Sequence, residues 1–252
     1  MDLDLKSFNP ESKLLKGKNI LISGATSGIG REAALTFARY GANTILLGKK
    51  RERLEELYDL ILQNKYAEPS LHLMDFEFSR NEDYSNMHDA LQLNYGHLDG
   101  LVNNAAILGE KKSISQYSFN TWQKVIRINL DSVFYLTQSL IPLLNLSENG
   151  SIIFTSSGLG QKGKAYWGAY SVSKLAIEGL MQILANELEN TSKIRVNSIN
   201  PGPTRTKFRS KAFPAENPNK ITKPKDIMKL YLFLMSNNSL QYNGVSINAQ
   251  MT

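Results

Sequence analysis

Asn19-Ile20-Leu21-Ile22-Ser23-Gly24-Ala25-Thr26-Ser27-Gly28-Ile29-Gly30 governs how the rest of the chain is read. A short apolar run ends at once in glycines, and a segment of helical period follows. A strand buried on both faces reads as a continuous apolar run, as Asn19 to Ser23 does. Gly24 permits a tight turn, Gly28 lets the backbone approach a pyrophosphate, and Gly30 lets the helix pack closely on the sheet. The helix start offers free N–H groups and a positive dipole end to phosphates. Thr26, Ser27 and Ile29 belong to the same turn, Ile29 through its backbone N–H. Three glycines alone also read as a plain turn and cap. Their place between a strand and a helix is the context that a dinucleotide site requires.

The pattern repeats outward from this turn. Further apolar runs of strand type occur at 44–47, 71–74, 98–103, 151–155 and 194–199, with a weaker one at 245–247. Segments 29–40, 50–65, 80–96, 119–145, 165–190 and 224–236 repeat apolar residues at three- and four-residue steps. Such alternation predicts parallel βαβ units, that is, an α/β, doubly wound parallel sheet with helices on both faces. No domain boundary interrupts it, so a single domain over 16–252 is expected. Residues 1–15 are polar and non-periodic and read as a loosely held N-terminal arm. The Pro- and Lys-rich stretch 201–224 reads as a lid or binding loop.

Composition sets limits. The chain has 252 residues, 42% hydrophobic and 21% charged, which is ordinary globular usage and excludes a disordered or collagen-like chain. It has no cysteine, which removes disulfides, thiolate metal sites and cysteine nucleophiles. The net charge of +6 fits nucleic acid, a membrane surface, an anionic ligand or mere solubility. The basic residues are scattered and no nucleic-acid motif appears, so no nucleic-acid partner is expected. No apolar run approaches a membrane span and the N-terminus lacks signal-peptide order, so the chain is expected to avoid membranes and to be cytoplasmic. His72, His88 and His97 join no carboxylate cluster at metal-ligand spacing, and no metal is expected.

Two further stretches carry chemistry. After the second strand, Gly48-Lys49-Lys50-Arg51 offers cations where an NAD site usually has an acid for the ribose 2′-hydroxyl. Lys49 and Arg53 suit a 2′-phosphate, which predicts NADP(H) over NAD(H); the same cluster also reads as a solvated helix start. Tyr170-Ser171-Val172-Ser173-Lys174 places a phenol and an ammonium four residues apart, on one helix face; taken alone, that spacing reads more readily as a surface pair. A nearby cation stabilises phenolate and lowers the tyrosine pKa toward working pH. Ser157 ends the fifth strand 13 residues before Tyr170. Ligands bind at the carboxyl ends of strands in such sheets, so both side chains reach one crevice. Ser156 is the rival hydroxyl, aimed the other way by strand alternation.

On these residues the chain resembles the short-chain dehydrogenase/reductase family, over about residues 15–250. Asn103-Asn104-Ala105-Ala106 matches the family turn after strand four, with Ala106 where glycine is usual. Asn129 stands 41 residues before Tyr170, where the family carries a catalytic asparagine. Pro201-Gly202-Pro203-Thr204-Arg205-Thr206 matches the Pro-Gly loop after strand six. Trp167-Gly168-Ala169-Tyr170 and Ala212-Phe213-Pro214 resemble in particular the uncharacterised enterobacterial YciK-type branch. Neighbouring branches reduce 3-oxoacyl groups, sugars, steroids and quinones.

The resemblance implies a three-layer Rossmann fold with seven strands. It implies Tyr170 as acid–base, Ser157 as holder of the substrate oxygen, and Lys174 as the group that lowers the Tyr170 pKa and bonds the nicotinamide ribose. Asn129 would anchor a water in a proton relay. Asp75 and Phe76 would meet the adenine, Asn103 would stabilise the sheet and line the cofactor cleft, and Ala105 stands in the same turn. Pro201, Gly202, Thr204 and above all Thr206 would hold the nicotinamide end. Asp75 reads alternatively as the N-cap of the next helix. Residues 205–222 take the place of the family's substrate lid; Lys207, Arg209, Lys211 and Lys220 there either attract an anionic substrate or are solvated. Trp167 reads as packing or as a pocket wall. A homodimer or homotetramer is implied, through helices at 119–145 and 165–190, with Ala169, Leu175, Leu180 and Leu184 as apolar surface that the sequence does not divide between core and interface. The expected activity is reduction of a small carbonyl compound to an alcohol. The alternative is a non-catalytic nucleotide-binding redox sensor or scaffold.

Overall fold

The computed structural model describes residue 5 and residues 7–250. Seven strands form one sheet in the order β3-β2-β1-β4-β5-β6-β7, and every pairing is parallel. They are β1 (Asn19–Ser23), β2 (Asn43–Gly48), β3 (Ser70–Leu73), β4 (Gly100–Asn103), β5 (Ser151–Thr155), β6 (Arg195–Asn200) and β7 (Ser246–Asn248). The chain runs one way from β1 to β3 and the other way from β4 to β7. The direction reverses between β1 and β4, which opens a crevice beyond their carboxyl ends.

Parallel strands need crossovers, and helices supply them. On one face lie α1 (Gly28–Arg39), α2 (Arg51–Gln63) and α8 (Met228–Met235), packed through Phe37, Leu57 and Tyr231 onto Ile20, Ile22 and Ile153. On the other lie α3 (Asn81–Tyr95), α5 (Ser132–Asn145) and α6 (Gly168–Leu188), packed through Leu91, Leu140 and Met181 onto Leu21, Leu101 and Ile152. Alternate residues of the same strands thus feed opposite layers, as the two-residue strand period requires. Among the described residues no helix is long and apolar enough to cross a membrane.

Two expectations need correction, and one open question is resolved. Phe8 and Leu15 are buried, and Phe8 sets its ring edge-on to Phe233 at 5.2 Å, so the described part of the 1–15 segment is packed rather than loose. Residues 1–4 and 6 lie outside the described residues. The segment 119–145 is not one uniform helix. It is α4 (Phe119–Ile126), a π-helical turn (Arg127–Asp131) and α5. A π-turn inserts one residue without breaking apolar periodicity, which hides it from pattern reading. Finally, Ala169 and Leu184 face the core, while Leu175 is exposed beside Val172 and Ile183. The segment 205–222 holds a short helix, α7 (Lys207–Ala212), and is pinned at its base by a bridge between Thr204 and Thr222.

Candidate active site

The crevice at the carboxyl ends of the strands is a cleft of about 610 Å³. Its floor is the turn between β1 and α1. Gly24 has φ +66°, and a side chain there would meet the Ala105 backbone at 2.9 Å. Gly30 admits no side chain, because a Cβ would sit 2.5 Å from Asn104 Nδ2 and nearer still to the Gly24 carbonyl oxygen. Asn104 Nδ2 donates to the Ser23 carbonyl at 3.2 Å, and Ser23 Oγ accepts the Asn104 and Ala105 N–H groups at 2.9 and 3.2 Å. The two turns are thereby stitched together. Ser27 makes no side-chain cap, so the first-turn N–H groups of α1 keep their donors for an anion. Thr26, Ser27, Gly28 and Ile29 line the cleft here.

At the end of β2, Lys49, Lys50 and Arg53 line the same cleft, and no acid stands in that strand end. Lys49 Nζ pairs with Asp75 Oδ2 at 3.3 Å, both partly exposed. The Asp75 carboxylate also accepts the Glu77 N–H at 3.1 Å, so it closes its own turn rather than capping α3. Phe76 lies beneath it, stacked on Tyr84 at 6.4 Å. Asn103 departs from expectation. It is buried and donates to Thr137 Oγ1 at 2.9 Å, in the α5 layer, so it does not line the cleft. Strand alternation turns it away, and Asn104 takes the cleft side together with Ala105 and Ala106.

On the opposite wall, α6 begins at Gly168 and places Tyr170 and Lys174 one turn apart, facing the end of β5. Tyr170 is 7% exposed and Lys174 4%. Lys174 Nζ donates to the Thr155 carbonyl at 2.6 Å and stands 5.9 Å from the Tyr170 ring centroid. Burial pulls the Lys174 ammonium down to about 8, against a smaller upward pull from Glu178. Burial also pushes the Tyr170 phenol up to about 12, with a hydrogen bond to Ser157 pulling the other way. Lys174 is not among the groups that move the phenol: burial dominates there, and the Lys174 ammonium is hydrogen-bonded to the Thr155 carbonyl rather than to the phenolic oxygen. Ser157 sits at the cleft surface and its Oγ accepts the Leu159 N–H at 3.2 Å. Ser156 points the other way, its hydroxyl buried without a partner.

Asn129 occupies the π-helical turn. Its amide oxygen accepts the Ile107 N–H at 2.8 Å, and its Nδ2 donates to the Ile107 carbonyl at 2.9 Å and to Ser173 Oγ at 3.2 Å. It braces the loop after β4 against α6 and does not touch Lys174. At the far end Pro201, Gly202, Thr204 and Thr206 line the cleft. Both threonines are committed locally: Thr204 Oγ1 donates to the Pro201 carbonyl at 3.1 Å, and Thr206 Oγ caps α7 by accepting the Arg209 N–H at 3.1 Å. Gln250 escapes sequence reading altogether. Its Nε2 donates to the Pro201 and Pro203 carbonyls at 2.7 and 2.9 Å and so sets the shape of this loop. No local motif marks a lone glutamine past a short strand.

The cleft therefore joins an anion cradle, a cationic strand end and a Ser–Tyr–Lys set, and the profile of short chain dehydrogenases matches residues 18–217. The chain belongs to the short-chain dehydrogenase family. It is 44% identical over 243 residues to the uncharacterised oxidoreductase YciK of Escherichia coli K12, with 96% of each chain covered. It is 32% identical over 240 residues to the 3-oxoacyl-[acyl-carrier-protein] reductase FabG of Thermotoga maritima, covering 91% of this chain and 95% of that one. A solved short chain dehydrogenase structure from Shigella flexneri 2a, complexed with NADP, superposes with a TM-score of 0.93 at 44% identity, covering 96% of this chain and all of that one. One from Escherichia coli CFT073, complexed with NADPH, gives 0.94 at 44% identity and the same coverage. As a member of this family the chain is an oxidoreductase.

Proposed function

We propose that this protein is an NADP(H)-dependent reductase that converts a carbonyl compound to an alcohol. The observation that carries the reading is the convergence of Tyr170, Ser157 and Lys174 on the cleft that also holds the glycine turn. Thr26, Ser27, Gly28 and Ile29, with Gly24 and Gly30 shaping the turn, would hold the pyrophosphate. Lys49 and Arg53 would meet a 2′-phosphate, and Asp75 and Phe76 the adenine. Ala105, Pro201, Gly202, Thr204 and Thr206 would enclose the nicotinamide end. Relatives crystallised with NADP and NADPH support this choice of coenzyme. The bound coenzyme supplies the hydride.

The chain's own groups manage charge and protons. Ser157 Oγ holds the substrate oxygen. Negative charge grows on that oxygen during reduction, and preplaced donors stabilise it. Tyr170 keeps its proton at neutral pH and donates it to that oxygen. Lys174, with a pKa of about 8, exchanges protons near working pH and refills the phenol. Asn129 is a positioning residue, holding Ile107 and Ser173 in place. The segment 205–222 is the lid. The exposed apolar side chains Val172, Leu175 and Ile183 on α6 favour a homodimer or homotetramer.

The decisive test uses Tyr170→Phe. Carbonyl turnover falls by about 10²–10³ or more, the loss typical of a missing charge-stabilising donor. NADPH binding, read by nucleotide fluorescence, stays unchanged. Retained turnover overturns the reading. A lower KM for NADH than for NADPH overturns the choice of coenzyme.

A further inference from the structure

Beyond Tyr170 the cleft is walled by rings. Phe213 and Trp167 lie 5.4 Å apart, Trp167 and Tyr170 6.0 Å, and Tyr170 and Phe208 5.2 Å, so four aromatic side chains follow one another without a gap. All four line the cleft, and Leu108, Leu159 and Ala212 pack with them. Two belong to the start of α6 and two to α7 and its end, so the wall couples the lid to the tyrosine.

The cations nearest this wall are already committed. Lys111 does not line the cleft; its Nζ lies over the Trp167 and Phe213 rings at 4.8 and 4.9 Å and donates to the Ala212 carbonyl at 2.9 Å. Arg209 lies 3.7 Å over the Phe213 ring and donates two hydrogen bonds, each 2.6 Å, to the Glu216 carboxylate. Its charge is spent, and a phosphate brought here would have to displace Glu216. Lys164 and Lys207 reach the cleft but stand exposed, where water screens them.

We infer that the substrate is a neutral ketone borne on an apolar ring, alicyclic or aromatic, that packs against this wall of rings, each tilted 40–49° to the next, and not a charged acyl thioester. The inference rests on the reductase reading above. Ring faces attract other rings in offset geometry and exclude water from the carbonyl beside them. Lys174, 5.9 Å from the Tyr170 ring centroid, is engaged by the Thr155 carbonyl, so an anionic acyl carrier is left with the exposed cations. Phe208 and Trp167 are then specificity-determining residues.

The experiment follows NADPH loss by the full chain with cyclohexanone, decalone, acetophenone, ethyl acetoacetate and acetoacetyl-coenzyme A. The ring ketones give kcat/KM at least about tenfold above the open-chain ester and the thioester, the discrimination one stacking ring can supply. Trp167→Ala and Phe208→Leu raise KM for the ring ketones alone by about tenfold; Trp167→Ala also lowers the melting temperature because it empties a buried site, so Phe208→Leu, which keeps bulk, is the variant in which NADPH binding and the melting temperature hold. A thioester preference that fades with added salt overturns the ring-ketone inference and leaves the reductase standing. Equal effects of both variants on ring and open-chain substrates also overturn it. Binding of NADPH with no turnover of any carbonyl overturns the reductase reading itself.

Discussion

Lys174→Met is expected to make the protein more stable at neutral pH while removing its activity. The side chain is buried and its ammonium falls from an ordinary 10.5 to about 8. At about 1.4 kcal/mol per pH unit, keeping that group charged at neutral pH costs the fold about 3 kcal/mol. Methionine fills a similar volume without charge, but the Thr155 carbonyl loses its donor, at a cost of about 1–2 kcal/mol. The net gain is about 1–2 kcal/mol, or roughly 3–6 °C in Tm for a domain of this size. The pH dependence carries the diagnosis. Below about pH 8 the amine is charged in both folded and unfolded states, and the penalty is complete. Between about 8 and 10.5 the unfolded chain binds a proton that the folded one does not, so wild-type stability climbs with pH. The advantage of the variant therefore shrinks across that window and reverses above it. Thermal unfolding of both proteins by circular dichroism, from pH 7 upward, reads the difference directly. A variant that melts below wild type at pH 7, by a margin indifferent to pH, refutes the buried-charge account.

Three other outcomes follow from the same geometry. Gly30→Ala forces a methyl into the Gly24 carbonyl and Asn104, and should cost about 1–3 kcal/mol in urea unfolding together with weakened NADPH binding; an unchanged midpoint shows that the turn can relax. Because the Tyr170 phenol is held near 12, kcat/KM for alcohol oxidation should rise steadily through pH 10; a plateau near neutrality means that another group lowers it in the working complex. Gln250→Ala frees the Pro201 and Pro203 carbonyls and should raise the NADPH Kd about tenfold through a slackened loop, with little change in Tm. Unaltered affinity would release Gln250 from its positioning role.

The parallel sheet was legible because its strands are doubly buried and their apolar runs uninterrupted. Strand ends moved by a residue or two, yet Tyr170, Lys174 and Ser157 came together as their spacing and strand position required. The failures have physical causes. Asn103 and Asn104 are adjacent, and only the phase of β4 decides which of them faces the cleft. The π-turn under Asn129 leaves no mark in apolar periodicity. Phe8 looked like part of a polar tail because its partner, Phe233, lies over two hundred residues away. Lys111 and Gln250 act through contacts distant in the chain, so no local motif announces them. The threonines of the Pro-Gly loop show the limit of motif transfer, since their hydroxyls serve the loop's own backbone.

Thr155 joins what otherwise stands apart. Its carbonyl receives Lys174 from one layer, and its hydroxyl meets Tyr231 of α8 across the sheet at 3.2 Å. The amine is thus moored to the rear of the molecule, whereas α7 meets the site through the Phe208 ring against Tyr170. Selection is free to recut the mouth for a new compound without disturbing the engine. The same freedom is denied to α8, where an innocuous-looking change far from any ligand would be felt by the amine.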